Sequence, residues 1–251
     1  MASDTSTAAK PAQKNTKKKK EKSVVVFIVG ISILSCICIP YIYYAVNINA
    51  YGLINKPEGY RWPRYSELWK TVVGAIVLNI VRVAIHFVFG GLFYEYSKIQ
   101  IVEDDEDEEL RRKYARKAGE CFWSTLYFIC SALWGWSILR KDLVLPPYLG
   151  GQPDGAYTNF KASIFDTYQE ELLEYSFYTF GYHFGNLFRH VFIDKAEGDF
   201  YEMLLHHIAA FCLYFCYIFG NMIPIGTVIA YLHDLADIPG NLSKALNSTV
   251  L

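Results

Sequence analysis

The chain has 251 residues, of which 53% are hydrophobic and 17% aromatic, and the formal net charge is −1. Apolar residues come in blocks of about 20, long enough to cross a bilayer, so we predict an all-α membrane protein with about six transmembrane helices. The net charge gives no indication of nucleic-acid binding. The six cysteines all lie in apolar segments without a Cys-x-x-Cys pair, which predicts buried free thiols rather than zinc or disulfide sites.

The N-terminal region divides into a basic tail and an apolar run. Residues 1–22 contain seven lysines and few apolar residues, which predicts a disordered tail. The run from Val24 to Val46 is too long for a signal-peptide core and lacks an evident cleavage site. We therefore expect a transmembrane anchor over residues 23–47.

The second predicted span, from about Thr71 to Tyr94, carries Arg82 and His86 four residues apart on one helical face. Two interpretations stay open. The pair forms a polar stripe against neighbouring helices, or Arg82 helps to bind an anionic head group or phosphate.

Residues 97–119 contain seven consecutive acids, Glu103 to Glu109, and then a basic stretch that begins at Arg111. This pattern predicts a solvated loop that leads into an amphipathic helix, and the basic half also suits anionic lipid or phosphate. An uncharged third span, Cys121 to Leu139, follows.

The fourth predicted span, about Glu171 to Ile193, is unusually polar. Glu174 and His183 are predicted either to line a cavity and contact substrate or to pair with another helix. Arg189 and His190 lie near the end of the span, where we expect them to extend to the membrane interface.

The last stretch, from Phe200 to Leu246, is a predicted hairpin of two spans with a turn at Gly220-Asn221. Charged groups are costly in a membrane and usually face a cavity or a polar pathway, so its ionisable residues predict a functional site. His206 lies roughly 9 Å into the first span, and the acids of the second span lie roughly 13–18 Å from its exit. Both sets are therefore below the same surface; they are His206, His207, His233, Asp234 and Asp237.

Basic residues near the spans predict the orientation. With the lysine-rich tail in the cytosol, the basic stretch at 111–117 and the link at 194–199 are cytosolic as well. Lys56, Arg61 and Arg64 then lie on the opposite side, against the rule. The predicted site opens toward the cytosol, and glycosylation of Asn247, in the acceptor Asn-Ser-Thr, would contradict this orientation.

Several motifs closely resemble the signature of the ceramide synthases, within the TLC-domain membrane proteins. They are D-F-x-x-M-x-x-H-H from Asp199, G-T-x-x-x-x-L-H-D-x-x-D from Gly226 and L-x-K-x-L-N from Leu242. Upstream, K-A-G-E-C-F-W from Lys117 and E-Y-S-F-Y from Glu174 resemble further family segments. The motifs occur in the family's order across residues 113–247.

The resemblance implies an N-terminal anchor followed by a TLC-type helical barrel, which we expect to begin at residue 66. The family continues with two further helices, so residues 66–251 are expected to form an incomplete barrel. An early sequence end, a shortened isoform, a partner that supplies the helices and a member without catalysis all stay open. The family's acyl-length preference cannot be transferred, since it is thought to depend on that C-terminal region.

The resemblance also implies an N-acyltransferase of the endoplasmic reticulum membrane, with a cytosolic N-terminus. It moves a fatty acyl group from acyl-coenzyme A, its co-substrate, to a sphingoid-base amine, with no bound cofactor. Partners are membrane lipids and a homo- or hetero-oligomer, without nucleic acid. The expected catalytic residues are His206, His207, Asp234 and Asp237; those expected to contact substrate are His233, Glu174, His183 and Arg82.

Amide formation requires removal of a proton from the amine, for which neutral histidine is suited. Alternatively, a histidine attacks the thioester and forms an acyl-imidazole. Membrane di-iron enzymes use more histidines than the six of this chain, so we expect no metal. A second hypothesis is a non-catalytic TLC-type protein that binds lipid or supports a larger membrane complex, in which the same residues hold helices together.

Overall fold

The computed structural model describes residues 10–102, 104–141, 145–153, 165, 168, 170–193 and 200–249, with the backbone alone at 10–23. Within these residues the chain forms six long helices, two one-turn helices and no strand, which confirms the predicted all-α class. The one-turn helices are Tyr65–Glu67 and Pro147–Leu149. The long helices are α1 (Lys10–Asn55), α2 (Leu68–Glu95), α3 (Asp105–Leu139), α4 (Glu170–Phe192), α5 (Phe200–Phe219) and α6 (Ile223–Leu246).

Four of these helices, α1, α2, α3 and α5, are long and apolar enough to cross a membrane. The other two, α4 and α6, have 23 and 24 residues and carry much of the polar sequence predicted to be functional. The chain is therefore a multi-pass membrane protein.

Helix α1 extends beyond the predicted anchor at both ends. It begins at Lys10, so residues 10–22, which composition predicted to be disordered, are helical in the structure. Lysine is a good helix former, so a basic segment can extend an adjoining apolar helix. Residues 1–9 lie outside the described residues, and the domain boundaries at residues 22, 47 and 66 stay predictions.

Helix α3 begins at Asp105, well before the predicted start of the third span at Cys121. The side chain of Asp104 accepts a hydrogen bond from the backbone N–H of Asp107 at 2.9 Å and caps the helix. Acidic residues in the first turn also interact favourably with the helix dipole. Most of the acidic segment is therefore helical; Glu103 lies outside the described residues.

The predicted hairpin between α5 and α6 is present. Asn221, in the turn, has a φ of 54°, a left-handed conformation that asparagine adopts more readily than most residues. Pro239 lies within α6 and does not end it, so the helix continues to Leu246. Prolines are tolerated in membrane helices, where neighbouring groups can satisfy the freed carbonyl.

Helices α1 and α5 run side by side in the same direction. The rings of Phe27 and Tyr201 have centroids 5.2 Å apart. Further along, a Cβ atom at Gly30 would lie 2.4 Å from Cδ2 of Leu205, and one at Gly220 would lie 3.8 Å from Cβ of Ala45. The pair therefore keeps a constant register.

Helices α2 and α4 also pack closely and run in the same direction. The Thr71 hydroxyl donates a hydrogen bond of 3.1 Å to the carbonyl oxygen of Phe177. A Cβ atom at Gly181 would lie 2.8 Å from the carbonyl oxygen of Thr71, so only glycine permits this approach. In contrast, α3 and α6 run antiparallel, and so do α2 and α3.

Each end of the bundle has its own contacts. At one end, the backbone N–H of Lys98 donates to the carbonyl oxygen of Ser248 at 3.1 Å. At the other, the amide of Asn221 donates to the hydroxyl of Tyr60 at 3.2 Å, and the hydroxyl of Tyr168 donates to Oδ1 of Asn221 at 3.0 Å. Successive helices thus alternate in direction, as predicted; which end faces the cytosol stays a prediction.

Aromatic side chains fill the centre of the bundle. Tyr127 and Tyr182 stack with ring centroids 3.6 Å apart, and Phe180 stacks on Tyr214 at 5.6 Å. All six cysteines are free thiols, as predicted, but not all are buried. Cys36 and Cys130 are exposed on apolar helix surfaces, where a membrane can cover them.

Candidate functional site

The α5–α6 hairpin brings together the histidines that its two helices carry. The rings of His206 and His233 have centroids 6.1 Å apart and planes 21° from parallel. His206 and His207 are neighbours on α5, with centroids 5.5 Å apart and rings at 63°. The predicted shared histidine site between the two helices is thus formed, and His206 and His233 are its exposed members.

Two histidines of α4 extend this group. The ring of His183 lies 6.1 Å from that of His233, and the ring of His190 lies 5.3 Å from that of His207. Five of the six histidines therefore form a row of imidazoles across three helices, in the order His190, His207, His206, His233 and His183.

Both α4 histidines are buried. His183 is 4% exposed, and its Nε2 atom has no hydrogen-bond partner among the described residues. The Nε2 atom of His190 lies 2.9 Å from the carbonyl oxygen of Phe200. The prediction that His190 extends to the membrane interface is therefore wrong, because the start of α5 covers it.

Asp237 is the carboxylate that contacts this row. Its Oδ2 atom lies 3.4 Å from Nδ1 of His233, one helical turn away on α6. Both side chains are partly exposed, at 39% and 44%. A carboxylate in this position can orient the imidazole and stabilise its protonated form.

Asp234 lies on another side of α6. It is 0% exposed, and its Oδ2 atom accepts a hydrogen bond of 2.6 Å from the hydroxyl of Ser131 on α3. The hydroxyl of Tyr175 lies 3.1 Å from that of Ser131 and completes a buried polar group. Among the described residues, Asp237 therefore contacts the histidines, whereas Asp234 bonds to α3 instead.

A polar cavity of about 500 Å³ lies beside the histidines. His183, His190, His206 and His207 line it, together with Asp237. Two basic residues, Arg189 of α4 and Lys244 of α6, also line it, as do the polar side chains of Asn186 and Asn241. The cavity therefore offers imidazoles for proton transfer and cations for a negatively charged group.

A second cavity, also of about 500 Å³, lies between α1, α5 and α6. Its walls are almost entirely apolar, and His183 and His233 lie at one end. Because His183 lines both cavities, the two meet at this residue. An amphipathic molecule with one aliphatic chain fits this combination of a polar and an apolar space.

Arg82 belongs to a charged cluster whose members Glu120 and Arg189 line the polar cavity. It forms an ion pair with Glu120 of α3, whose Oε1 atom also lies 3.2 Å from Nε2 of His86 and 3.6 Å from Nη1 of Arg189. Arg82 itself is 6% exposed. These contacts favour the interpretation of a polar stripe between helices over direct substrate contact by Arg82.

Glu174 is not brought to the histidines. It forms an ion pair with Lys70 near the start of α2, and Lys70 also lies 3.3 Å from Glu67. Glu174 and His190 are sixteen positions apart on α4, roughly 24 Å along the helix. Glu174 thus lies toward the other end of the bundle, and this position does not support the predicted contact with substrate.

Several residues at or beside the site were not predicted there, among them Arg189, which was expected at the membrane interface and lines the polar cavity. Glu120 was noted only within a motif, Ser131 carried no sequence signal, and His190 was expected at the interface. The charges of Glu120 and Arg82 in apolar surroundings were the available signal for an ion pair. Among the described residues, no group of three or more His, Cys, Asp or Glu side chains is arranged to hold a metal ion.

Comparisons with known proteins confirm the resemblance that the motifs predicted. A family model described as TLC domain matches residues 117–249, more than half of the chain. The chain is 28% identical over 200 residues to ceramide synthase hyl-2 of Caenorhabditis elegans, with 79% of this chain and 58% of that protein covered. The chain thus spans little more than half the length of this relative. No solved structure matches.

Proposed function

The chain belongs to the TLC-domain family, and from that premise we propose that it is a ceramide-synthase-like N-acyltransferase. The observation that carries the proposal is the facing pair His206 and His233, with Asp237 beside His233, next to a polar cavity that meets an apolar one. The reaction moves a fatty acyl group from acyl-coenzyme A to the amine of a sphingoid base. Acyl-coenzyme A is a co-substrate, and no bound cofactor is proposed.

Two routes use these side chains. In the first, a neutral histidine removes a proton from the sphingoid ammonium and the freed amine attacks the thioester carbonyl. The coenzyme A thiolate leaves and takes up the second proton that the nitrogen loses, as a thiol. In the second, an imidazole nitrogen attacks the thioester carbonyl first and the thiolate leaves. A neighbouring histidine removes a proton from the ammonium, the freed amine attacks the acyl-imidazole, and the imidazole leaves with the second proton of the nitrogen. In both routes Asp237 stabilises the positive charge that develops on His233.

The two cavities match the two parts of an acyl-coenzyme A molecule. Arg189 and Lys244 line the polar cavity, where they can attract its negatively charged groups; Glu120, 3.6 Å from Arg189, lines the same cavity and offsets part of this charge. The apolar cavity can accept the aliphatic chain. With the chain in the apolar cavity, the thioester lies near His183, where the cavities meet.

A second candidate function is a non-catalytic TLC-type protein that binds lipid or supports a membrane complex. The contacts of Asp234 and Arg82 favour it, because both are used in bonds between helices rather than in the cavity. In this candidate function, the same polar and charged residues stabilise the helix bundle.

We further propose the endoplasmic reticulum membrane as the location, with the N-terminus in the cytosol. The organelle is carried over from the similarity to a ceramide synthase. The orientation is supported by the basic stretch at 111–117 within α3 and the lysines of α1, which favour the cytosolic side. Partners in this proposal are membrane lipids, the sphingoid base and acyl-coenzyme A; a homo- or hetero-oligomer stays open.

The test is acyl transfer in microsomes from cells that lack their own ceramide synthases and express the 251-residue chain. We expect amide product from wild type, and a loss of about 100-fold or more in His206→Ala and His233→Ala, since general acid–base catalysis contributes about this much or more. Asp237→Asn is expected to lower transfer about tenfold or more.

The matched control is Phe87→Ala, because Phe87 is 89% exposed on the outer surface of α2. It should retain wild-type transfer at equal protein level. Histidine variants with wild-type activity would contradict the catalytic proposal. Absence of product from an inserted wild-type chain that still binds a fatty acid would favour the lipid-binding candidate.

A further inference from the structure

One wall of the apolar cavity comes from α1, which lies outside the residues matched by the family model. The residues of α1 that line it are Ile37, Cys38 and Tyr41. The facing walls belong to α5 and α6 and include Cys212 and Ile229. A helix predicted only to anchor the chain thus forms part of the space beside the histidines.

The cavity is elongated along the helix axes. His233 lines its polar end, and Met222 lines it eleven positions earlier in the chain, just before the start of α6. This separation corresponds to roughly 16 Å along a helix. Gly226 lies on the same wall, and a Cβ there would come within 2.3 Å of the ring of Tyr217, so the wall has little room to move.

Cys38 belongs to the part of the α1 wall that packs against α5. It lines the cavity together with Cys212 of α5. The contacts of Gly30 with Leu205 and of Ala45 with Gly220 hold α1 against α5 on either side of it. Cys38 is also partly buried, whereas its neighbour Ile39 is 66% exposed on the outer surface.

We propose that α1, through Cys38, limits the length of the aliphatic chain that the cavity accepts. The occupant is the chain of a fatty acyl group, because the cavity is apolar along its length and ends at imidazoles that adjoin Arg189 and Lys244. The inference rests on the proposed function, which identifies the occupant as a fatty acyl chain. Binding of this acyl chain does not require that the protein be catalytic.

The first test measures the binding of medium-, long- and very-long-chain fatty acids to the purified full chain in detergent, by displacement of a fluorescent fatty acid. Cys38→Phe places a ring in the cavity. It is expected to weaken the binding of the longest chain about tenfold, because excluding about two methylene groups from apolar burial costs about that factor. The medium chain should bind as it does to wild type.

The matched control is Ile39→Phe, which adds a ring on the outward surface of the same helix turn and should leave the whole profile unchanged. An unchanged profile in Cys38→Phe would overturn the inference. An equal loss of affinity for fatty acids of every length would overturn it too. So would the same change in Ile39→Phe, or wild-type protein that binds no fatty acid.

A second measurement needs no substitution and therefore does not depend on the variant's folding. Alkylation of wild-type protein by N-ethylmaleimide is followed by peptide mass spectrometry with and without a long-chain fatty acid. The bound fatty acid should slow the alkylation of Cys38 several-fold. The alkylation of Cys36, which is exposed two positions away on α1, should be unaffected. Equal rates at Cys38 with and without the fatty acid would contradict the proposal.

The test of chain-length selection can fail or succeed independently of the test of acyl transfer. A binding profile that shifts in Cys38→Phe supports the inference even where microsomes form no amide. If amide does form, the same variant should shift the product toward shorter acyl chains, and an unaltered product profile would count against the inference while leaving the acyltransferase proposal intact.

Discussion

The hydroxyl of Ser131 on α3 donates a 2.6 Å hydrogen bond to Oδ2 of Asp234 on α6 at the centre of the bundle. The carboxylate is fully buried, and its Oδ1 atom has no hydrogen-bond partner among the described residues. A buried carboxylate is costly unless it is hydrogen-bonded. This bond therefore joins α3 to α6, whatever further role Asp234 has.

We predict that Ser131→Ala lowers the free energy of unfolding by about 1–3 kcal/mol, because it removes the hydroxyl that donates to the buried Oδ2 atom of Asp234. Thermal unfolding of the purified protein in detergent measures the effect. Ser137→Ala is the control on the same helix: Ser137 is partly exposed and donates to the carbonyl oxygen of Trp134 on its own helix. Equal melting temperatures for the two variants would contradict the prediction.

The cluster around Glu120 gives a second prediction. Glu120→Gln removes the negative charge that faces Arg82 and Arg189, and breaking such a buried pair costs about 3–5 kcal/mol. We expect a marked fall in melting temperature, partly recovered when Arg82→Met is added. Glu108→Gln is the control on the same helix. Glu108 pairs with the exposed Arg112, where loss of the charge costs little, and Gln keeps an oxygen that can accept from the hydroxyl of Tyr94. Similar losses in both single variants would rule out a special role for Glu120.

Orientation in the membrane is tested by glycosylation. Lys161→Thr creates an Asn-Phe-Thr acceptor at Asn159, in the segment between α3 and α4, which we predict to be lumenal. We expect a glycan there and none at Asn247, because the predicted cytosolic end carries Asn247. Glycosidase-sensitive mobility on a gel reads out both sites. A glycan at Asn247 instead would reverse the orientation and place the polar cavity on the lumenal side.

Hydrophobic blocks predicted the helices well, because crossing a membrane requires long apolar segments. The predicted second span, Thr71 to Tyr94, lies within α2, and the predicted fourth span matches α4 to within one residue at each end. The start of α3 was missed because its first turns are charged and hydropathy does not recognise them as helical. The sequence signal for the start of this helix was the N-cap residue Asp104 rather than any apolar residue.

The candidate site was only partly predictable. The motifs indicated His206, His207 and His233, and α5 and α6 bring these together as the hairpin predicts. The direction in which an acid points depends on partners distant in the chain, so Asp234 could not be separated from Asp237 by spacing alone. Glu174 shows the same limit, because its partner Lys70 lies on another helix.

The register between α1 and α5 bears on how the chain can be divided. From Gly30 to Ala45 the two helices are in close contact, so a cut at residue 47 separates surfaces that belong to one packed body. A fragment that begins at residue 66 would expose the side of α5 that includes Leu205 and Gly220, and the apolar cavity would open to lipid along its length. The N-terminal helix thus packs as part of the same helical bundle.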